Sequence, residues 1–451
     1  MLPQLRPYTD HAAALADGRH TPRALLEACL EAMEQWEPQV GAFTATDVEG
    51  ARRAADAATA RWKNGRTLSA IDGMTVGIKD IIDTDNMPTQ MGSPLFEGHQ
   101  PRFSAASAWA LRDAGAVILG KTVTTEFAST EPRGTRNPWD LSRTPGGSSS
   151  GSGAAVAAGM LAGAMGTQVV GSIIRPAGYT GVYGFKPSVG GINRGGSLDL
   201  LSHSCSGPMA ASLSDAWCMA RAITERVGGD PGYPGLGGPL LLPEARRPAT
   251  LALLRTAGWP GLHPEARAAL DGALETLRGG GVRILLPEEC PELAVLEAAT
   301  AESRAIAMGI NAWEWLWPLG AFAERDAAAL SPSARERLAA ARGMTRADYV
   351  ALLERRRAAR AALARLAGLC DALVGVTAAG AAPVGLGSTG DPVFVAPGSV
   401  LGAPVVSLPV LRCEGMPLGL QLLGFRDQDA ALVSRAAWIG DCLRDGGGRA
   451  G

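Results

Sequence analysis

Three lysines in this chain sit where their chemistry invites a question. The 451 residues contain only four lysines, Lys63, Lys79, Lys121 and Lys186, against 38 arginines. Lys63 lies at a polar helix end. The other three are embedded in VGIKDII, ILGKTV and YGFKPS. When buried, lysine can lose its proton, which arginine effectively cannot. Burial pulls the amine down from roughly 10.4, toward a range where it can serve as a general base. The competing reading is a structural ion pair, with Asp80 or Asp83 as partner to Lys79.

The second unusual feature is TPGGSSSGSGAAVAAGM (144–160). A phosphate-binding loop would need the lysine of G-x-x-x-x-G-K-[ST], which is missing. Gly151 and Gly153 begin a dinucleotide fingerprint, but Val156 stands at its third glycine. A flexible linker would have polar flanks; here TRNPWD stands on one side and an apolar run on the other. Gly147 to Gly151 formally matches G-x-S-x-G with Ser149 as nucleophile. That motif must follow a strand and find a histidine. The preceding NPWDLSRTP is loop-like, and neither His203 nor His263 has a triad context.

The surrounding pattern predicts the elements that must position these groups. TPRALLEACLEAMEQWE and ARRAADAATARWKNG have helical apolar spacing, the first behind a Thr-Pro start. MTVGIKDIID (74–83) reads as a buried strand, Ala105 to Gly115 as a helix, and AVILGKT as a strand. Further on, PEARAALDGALETLRGGG, TRADYVALLERRRAARAALARLAG and DAALVSRAAWIGDCL read as helices. VRILLP, DALVGV, PVVSLPV and GLQLLGF read as strands. Such alternation predicts an α/β sheet covered by helices on both faces. The arginine run of the long helix reads as a solvated face. Gly228 to Pro243 suits a long surface loop or a linker. The aromatics of WEWLWPLG (313–320) read as core at helical spacing. The preferred parse is one domain over 1–451, with 1–65 a helical N-terminal arm.

Composition limits the partners. Apolar residues make up 46% and net charge is −2, so a large core is expected and no nucleic-acid or anionic-membrane footprint. Seven scattered cysteines without C-x-x-C suggest reduced thiols rather than disulfides or a zinc site. MLPQLRPYTD has no apolar signal core, so a cytoplasmic location is expected. From Thr144 to Ile174 no residue is charged. The strongly apolar part, Ala154 to Met165, is too short to span a bilayer and reads as a buried core helix.

Lys79, the Gly/Ser segment and GTQVVGSIIRPAGYTGVYGFKPS (166–188) together resemble the amidase-signature family. That family's pattern is G-I/V-K-D, then G-G-S-S-x-G-S, then G-T-D-T-G-G-S-I-R followed by P-A-A-F-C-G-V-V-G-L-K-P. The likeness runs from about Asp72 to Asp215, in order and with matching spacing, and Ser148 and Ser172 stand 24 positions apart. It implies the amidase-signature fold with a large mixed central sheet. It also implies a catalytic set of Lys79 as base, Ser148 as bridging serine on a cis peptide, and Ser172 as nucleophile. Val169, Val170, Gly171 and Ser172 map to the oxyanion hole. Lys121 and Lys186 map to structural positions. Neither cofactor nor metal is implied, and dimers are frequent in the family.

Three departures stand out. Val170 replaces a glycine, Gln168 an aspartate, and Arg175 stands one position later than the usual arginine. The last two are shared with malonamidase-type members, which IKDIIDTDNMPTQMGS and GTQVVGSIIRPAGY resemble most. There the arginine holds a substrate carboxylate, so Arg175 and Gln168 are candidate substrate-binding residues; Arg175 could equally brace its loop. The expected activity is hydrolysis of a small amide, with an acid amide such as malonamate as one substrate. The alternative is an ammonia-producing amidotransferase component that works with a partner. A non-enzymatic relative would have no reason to keep Lys79, Ser148 and Ser172 together.

Overall fold

A computed structural model describes residues 2–129 and 131–447. Eleven strands form one mixed sheet. In chain order they are β1 (Phe43–Thr46), β2 (Thr75–Lys79), β3 (Val117–Thr122), β4 (Gly163–Gln168), β5 (Tyr183–Lys186), β6 (Cys205–Ala210), β7 (Thr250–Leu253), β8 (Arg283–Leu285), β9 (Ala372–Val376), β10 (Val405–Cys413) and β11 (Met416–Leu423). Across the sheet the order is β1-β3-β2-β4-β6-β5-β10-β11-β9-β7-β8. β2 runs parallel to both β3 and β4, and every residue of these three strands is buried. Burial on both faces is what a parallel sheet under helices requires, and Val76, Ile78, Val117 and Ile118 meet it with β-branched side chains. Lys79 closes β2 and Ser172 follows β4, so two of the residues singled out sit at neighbouring strand ends.

The sequence elements are recovered with three corrections. β2 ends at Lys79, short of the expected 83, because the N–H groups of Ile81 and Ile82 fold back onto the Lys79 carbonyl at 2.8 and 2.9 Å. The arm over 1–65 is not wholly helical. Its two long helices, Pro22–Val40 and Val48–Lys63, flank β1, which pairs antiparallel with β3. The apolar run Ala154 to Met165 is not one helix. A helix spans Ser150–Ala157, Gly159 then takes φ +71°, and the chain enters β4 at Gly163. Uniform burial removes the periodicity that separates helix from strand, so the run gave no boundary. Among the described residues, no helix is long and apolar enough to cross a membrane.

Gly228 to Pro243 holds no helix or strand and is tied down by Trp217 Nε1, which donates to the Pro239 carbonyl at 3.0 Å. In WEWLWPLG, Trp315 and Leu319 are core, whereas Trp317 is 80% exposed.

Close approach explains the small residues of Ser150–Ala157. A Cβ on Gly151 would lie 2.2 Å from the Ala42 carbonyl oxygen and 2.4 Å from the Val123 nitrogen, both backbone atoms. The start of this helix therefore rests directly on the chain beside β1 and β3, which fixes the serines before it. Gly151→Ala should destabilise the protein by about 1–3 kcal/mol through overpacking, read as a lower midpoint in urea unfolding; an unchanged midpoint would contradict this packing.

Candidate active site

Lys79 Nζ is fully buried and lies 2.7 Å from Ser148 Oγ and 2.8 Å from Thr167 Oγ1. Its partners are hydroxyls, not a carboxylate. Burial pushes the amine down to about 7, against the opposing pull of the buried Asp199 carboxylate. The ion-pair reading instead describes Lys121, 3.5 Å from Asp80 and 2.8 Å from the Ile82 carbonyl. Lys186 donates to the Pro187 carbonyl at 2.7 Å. A lysine near neutrality beside a hydroxyl can exchange a proton with it at physiological pH; the other two buried lysines have no serine partner of this kind.

The loop before Ser150–Ala157 separates its serines by role. The Gly147–Ser148 peptide is cis, as the resemblance implied. Ser149 Oγ is 3.3 Å from both the N–H and the carbonyl oxygen of Thr167, and so staples the loop to β4. Ser150 Oγ donates to the Val123 carbonyl at 3.3 Å, and Ser152 Oγ lies 2.7 Å from Thr122 Oγ1. Ser148 alone among them reaches Lys79. Neither histidine hydrogen-bonds to these serines: His203 is buried, and His263 sits 3.4 Å from Cys413 Sγ.

Ser172 lies between β4 and the short helix Ile174–Thr180, on the wall of a cavity of about 340 Å³. It is 9% exposed. Among the described residues its hydroxyl has no hydrogen-bond partner, so the Ser148–Ser172 contact is open here. Val169, Val170 and Gly171 line the same cavity. Among the described residues, no acceptor takes the N–H of Val170, Gly171 or Ser172, which leaves these donors available to a bound oxygen.

Gln168 does not line the cavity. Its side chain is fully buried behind the loop, where Oε1 accepts from the N–H groups of Ile173 and Ile174 at 2.9 and 3.0 Å. Its amide nitrogen donates to Ser399 Oγ, which in turn donates to the Val170 carbonyl. Arg175 does line the cavity. However, its Nη2 donates to the Gly147 carbonyl at 2.7 Å and to Thr389 Oγ1 at 2.9 Å, so it braces the serine loop.

Four groups escaped the sequence reading. Thr167 gives Lys79 its second acceptor, and Asp199 acts on Lys79 from the segment before β6. Thr389 anchors Arg175 from more than 200 residues away. One cavity wall comes from the helices Ser303–Glu314 and Pro332–Gly343, through Arg304, Met308, Asn311 and Arg337. Positions 304, 308 and 311 share a helix face, but that spacing reads equally as core. Among the described residues, no group of three or more His, Cys, Asp or Glu could hold a metal ion.

The α/β sheet carries a buried lysine–serine pair and a cavity lined by a second serine, and the likeness to known proteins makes the chain an amide-hydrolysing enzyme. The Amidase family model matches residues 24–433, and the chain belongs to that family. It is 33% identical to a glutamyl-tRNA(Gln) amidotransferase subunit from Chloroflexus aggregans, over 93% of each chain. Among solved structures it is similar to a peptide amidase from Stenotrophomonas maltophilia, with TM-score 0.76, 26% identity and 97% of each chain covered. It is also similar to a chain from a vestigial protein complex bearing on the origins of an s-triazine catabolic enzyme, with TM-score 0.83, 27% identity and 98% of each chain covered.

With four lysines in the chain, the Lys79 signal can be followed by NMR of ¹³C-labelled lysine side chains. It should titrate near 7. In Asp199→Asn the midpoint should fall further, because the carboxylate's charge raises it. A Lys79 midpoint near the ordinary 10.4 would refute the assignment.

Proposed function

We propose that this enzyme hydrolyses the C–N bond of a small amide through an acyl-enzyme on Ser172. The observation that carries the reading is Lys79, buried without a carboxylate partner and 2.7 Å from Ser148 Oγ. Ser172 Oγ attacks the amide carbonyl and gives its proton to Ser148, which passes one to neutral Lys79. The carbonyl oxygen becomes negative against the N–H groups of the Val169–Ser172 loop. Collapse breaks the C–N bond, and the proton returns along the same path to the departing amine. Water then attacks the ester with the same relay in reverse, releasing the acid and restoring Ser172. The relay requires the Ser172 hydroxyl to turn onto Ser148, a contact that commonly tightens only with substrate bound.

The acid-amide specificity expected from the malonamidase-type motifs belongs to the same reading. The cavity, about 340 Å³, stands at the small end of ligand sites, which favours a short substrate. A second reading, release of ammonia within a complex, is favoured by the likeness to glutamyl-tRNA(Gln) amidotransferase subunits. A net charge of −2 offers no general attraction to a tRNA, so any such role would depend on a partner protein.

Ser172→Ala and Lys79→Ala should each lower kcat for a turned-over amide by at least about 10³-fold, with ammonia release as the readout, and Ser172→Ala should abolish covalent labelling by a fluorophosphonate. Full activity in either variant would defeat the mechanism. Stable co-purification with a second protein, needed for activity, would favour the amidotransferase reading.

A further inference from the structure

We propose that Arg356, Arg360 and Arg426 form a binding site for a phosphate group, free or carried by a small molecule, apart from the cavity that holds Ser172. None of the three lines that cavity. The helix Arg346–Ala364 carries the run Arg355-Arg356-Arg357 and then Arg360. Its four cations are not equivalent. Arg355 pairs with Glu302 and Arg357 with Glu354, as on a solvated face. Arg356 and Arg360 stand one turn apart and are half-buried. Among the described residues, neither has a carboxylate within ion-pair distance. Arg356 Nη1 donates to Ser202 Oγ at 2.7 Å, and Arg360 Nε to the Val400 carbonyl at 3.0 Å. Two like charges at this spacing repel one another.

Three contacts gather the charges at one place. Arg360 Nη2 is buried without a partner, and a Cβ on Gly402 would lie 3.0 Å from it. The Gly402 carbonyl accepts from the Val189 N–H, and the Tyr233 ring presses on the next residue, Gly190, where a Cβ would lie 2.2 Å from Tyr233 Cγ. Arg426 lies over that same ring, 5.6 Å from its centroid. Guanidiniums from the long helix and from the turn after β11 thus converge around Tyr233, itself partly exposed. Burial, and then the like charges of Arg356 and Arg426, bring Arg360 down to about 10. The carboxylates of this neighbourhood are already engaged. Glu314 accepts from the Ser202 N–H and the Tyr349 hydroxyl at 2.7 and 2.8 Å, Asp230 holds Arg194, and Asp427 lies 3.5 Å from Arg426.

The group behind the arginines is also unsatisfied. His203, next to Ser202, is 1% exposed, and neither of its ring nitrogens has a partner. Burial first, then the charges of Arg356 and Arg360, push its imidazole down to about 3. It is therefore neutral and keeps one N–H to donate. Buried donors without acceptors are costly. A phosphate supplies what is missing: oxygens for Arg360 Nη2 and for the planar forks beside it, and a double negative charge for cations that carboxylates do not meet. A neutral ligand brings no such charge.

The test titrates the full chain with inorganic phosphate, with phenyl phosphate and, at matched ionic strength, with sodium chloride. Binding is read by calorimetry and by side-chain NMR of ¹⁵N-labelled histidine, of which the chain has five. Phosphate should bind saturably and shift the His203 signal while leaving His11 and His20 in place; chloride should not. Tighter binding of phenyl phosphate would assign the site to an organic phosphate with a ring against Tyr233, and binding no tighter than phosphate would assign it to the free ion. Arg356→Met and Arg360→Met should each weaken Kd by about ten- to a hundred-fold. Arg356→Lys should recover part of the loss, as a charge without a fork. Arg357→Met, which removes an exposed cation already paired with Glu354, should leave Kd unchanged. Phosphate that moves His203 no more than chloride does would overturn the proposal, and so would equal weakening by Arg357→Met and Arg360→Met. The wild-type His203 readout decides the matter even where an arginine variant fails to fold.

Discussion

An ammonium group taken out of water must find either an opposite charge or a reason to be neutral. At the end of β2 the fold supplies the second. Lys79 is sealed by fully buried strands on either side and given two hydroxyls in place of a carboxylate. The same sheet shows the other solution one strand away, where Lys121 meets Asp80. Two buried lysines of similar sequence context thus differ in electrostatic partner: burial lowers both, but only Lys121 has a carboxylate within ion-pair distance. The serine loop, the glycine-rich helix start and the Arg175 brace all serve to hold Ser148 against this amine.

The relation between sequence and structure is uneven for physical reasons. The Lys79–Ser148 contact was legible because each partner is a chemically specific residue within a spaced motif. The long helices were legible through capping and periodicity, as with Thr21, whose side chain accepts from the Ala24 N–H. β1, β5 and β7 have four residues each, too few for an alternation to register. β4, reading GAMGTQ, resembles no strand in isolation and is one because β2 and β6 flank it. The distal cavity wall was illegible for another reason. Arg304, Met308 and Asn311 obey the rule that builds cores, and only tertiary placement shows that they face a cavity.

Two distant parts of the chain meet over the serine loop. A Cβ on Gly147 would lie 2.7 Å from Thr389 Cγ2, and one on Gly171 would lie 2.4 Å from Val395 Cγ2. The segment around Thr389 to Val395 therefore roofs a loop that the signature motifs alone would leave open. Specificity can be altered from this roof and from the two helices beside it without touching the lysine–serine pair beneath.

Gln168 gives this arrangement a further property. It holds the turn after β4 from behind by accepting two backbone N–H groups and reaching Ser399. A carboxylate there would also accept those bonds, but it would carry a charge that acid can remove. An amide has no proton to gain or lose in the physiological range. The scaffold of the Ser172 loop is therefore indifferent to acidity at this point, whereas burial brings the Lys79 amine down to about 7. Support and chemistry are decoupled: a change in pH can alter the proton inventory of Lys79 without loosening the brace at Gln168.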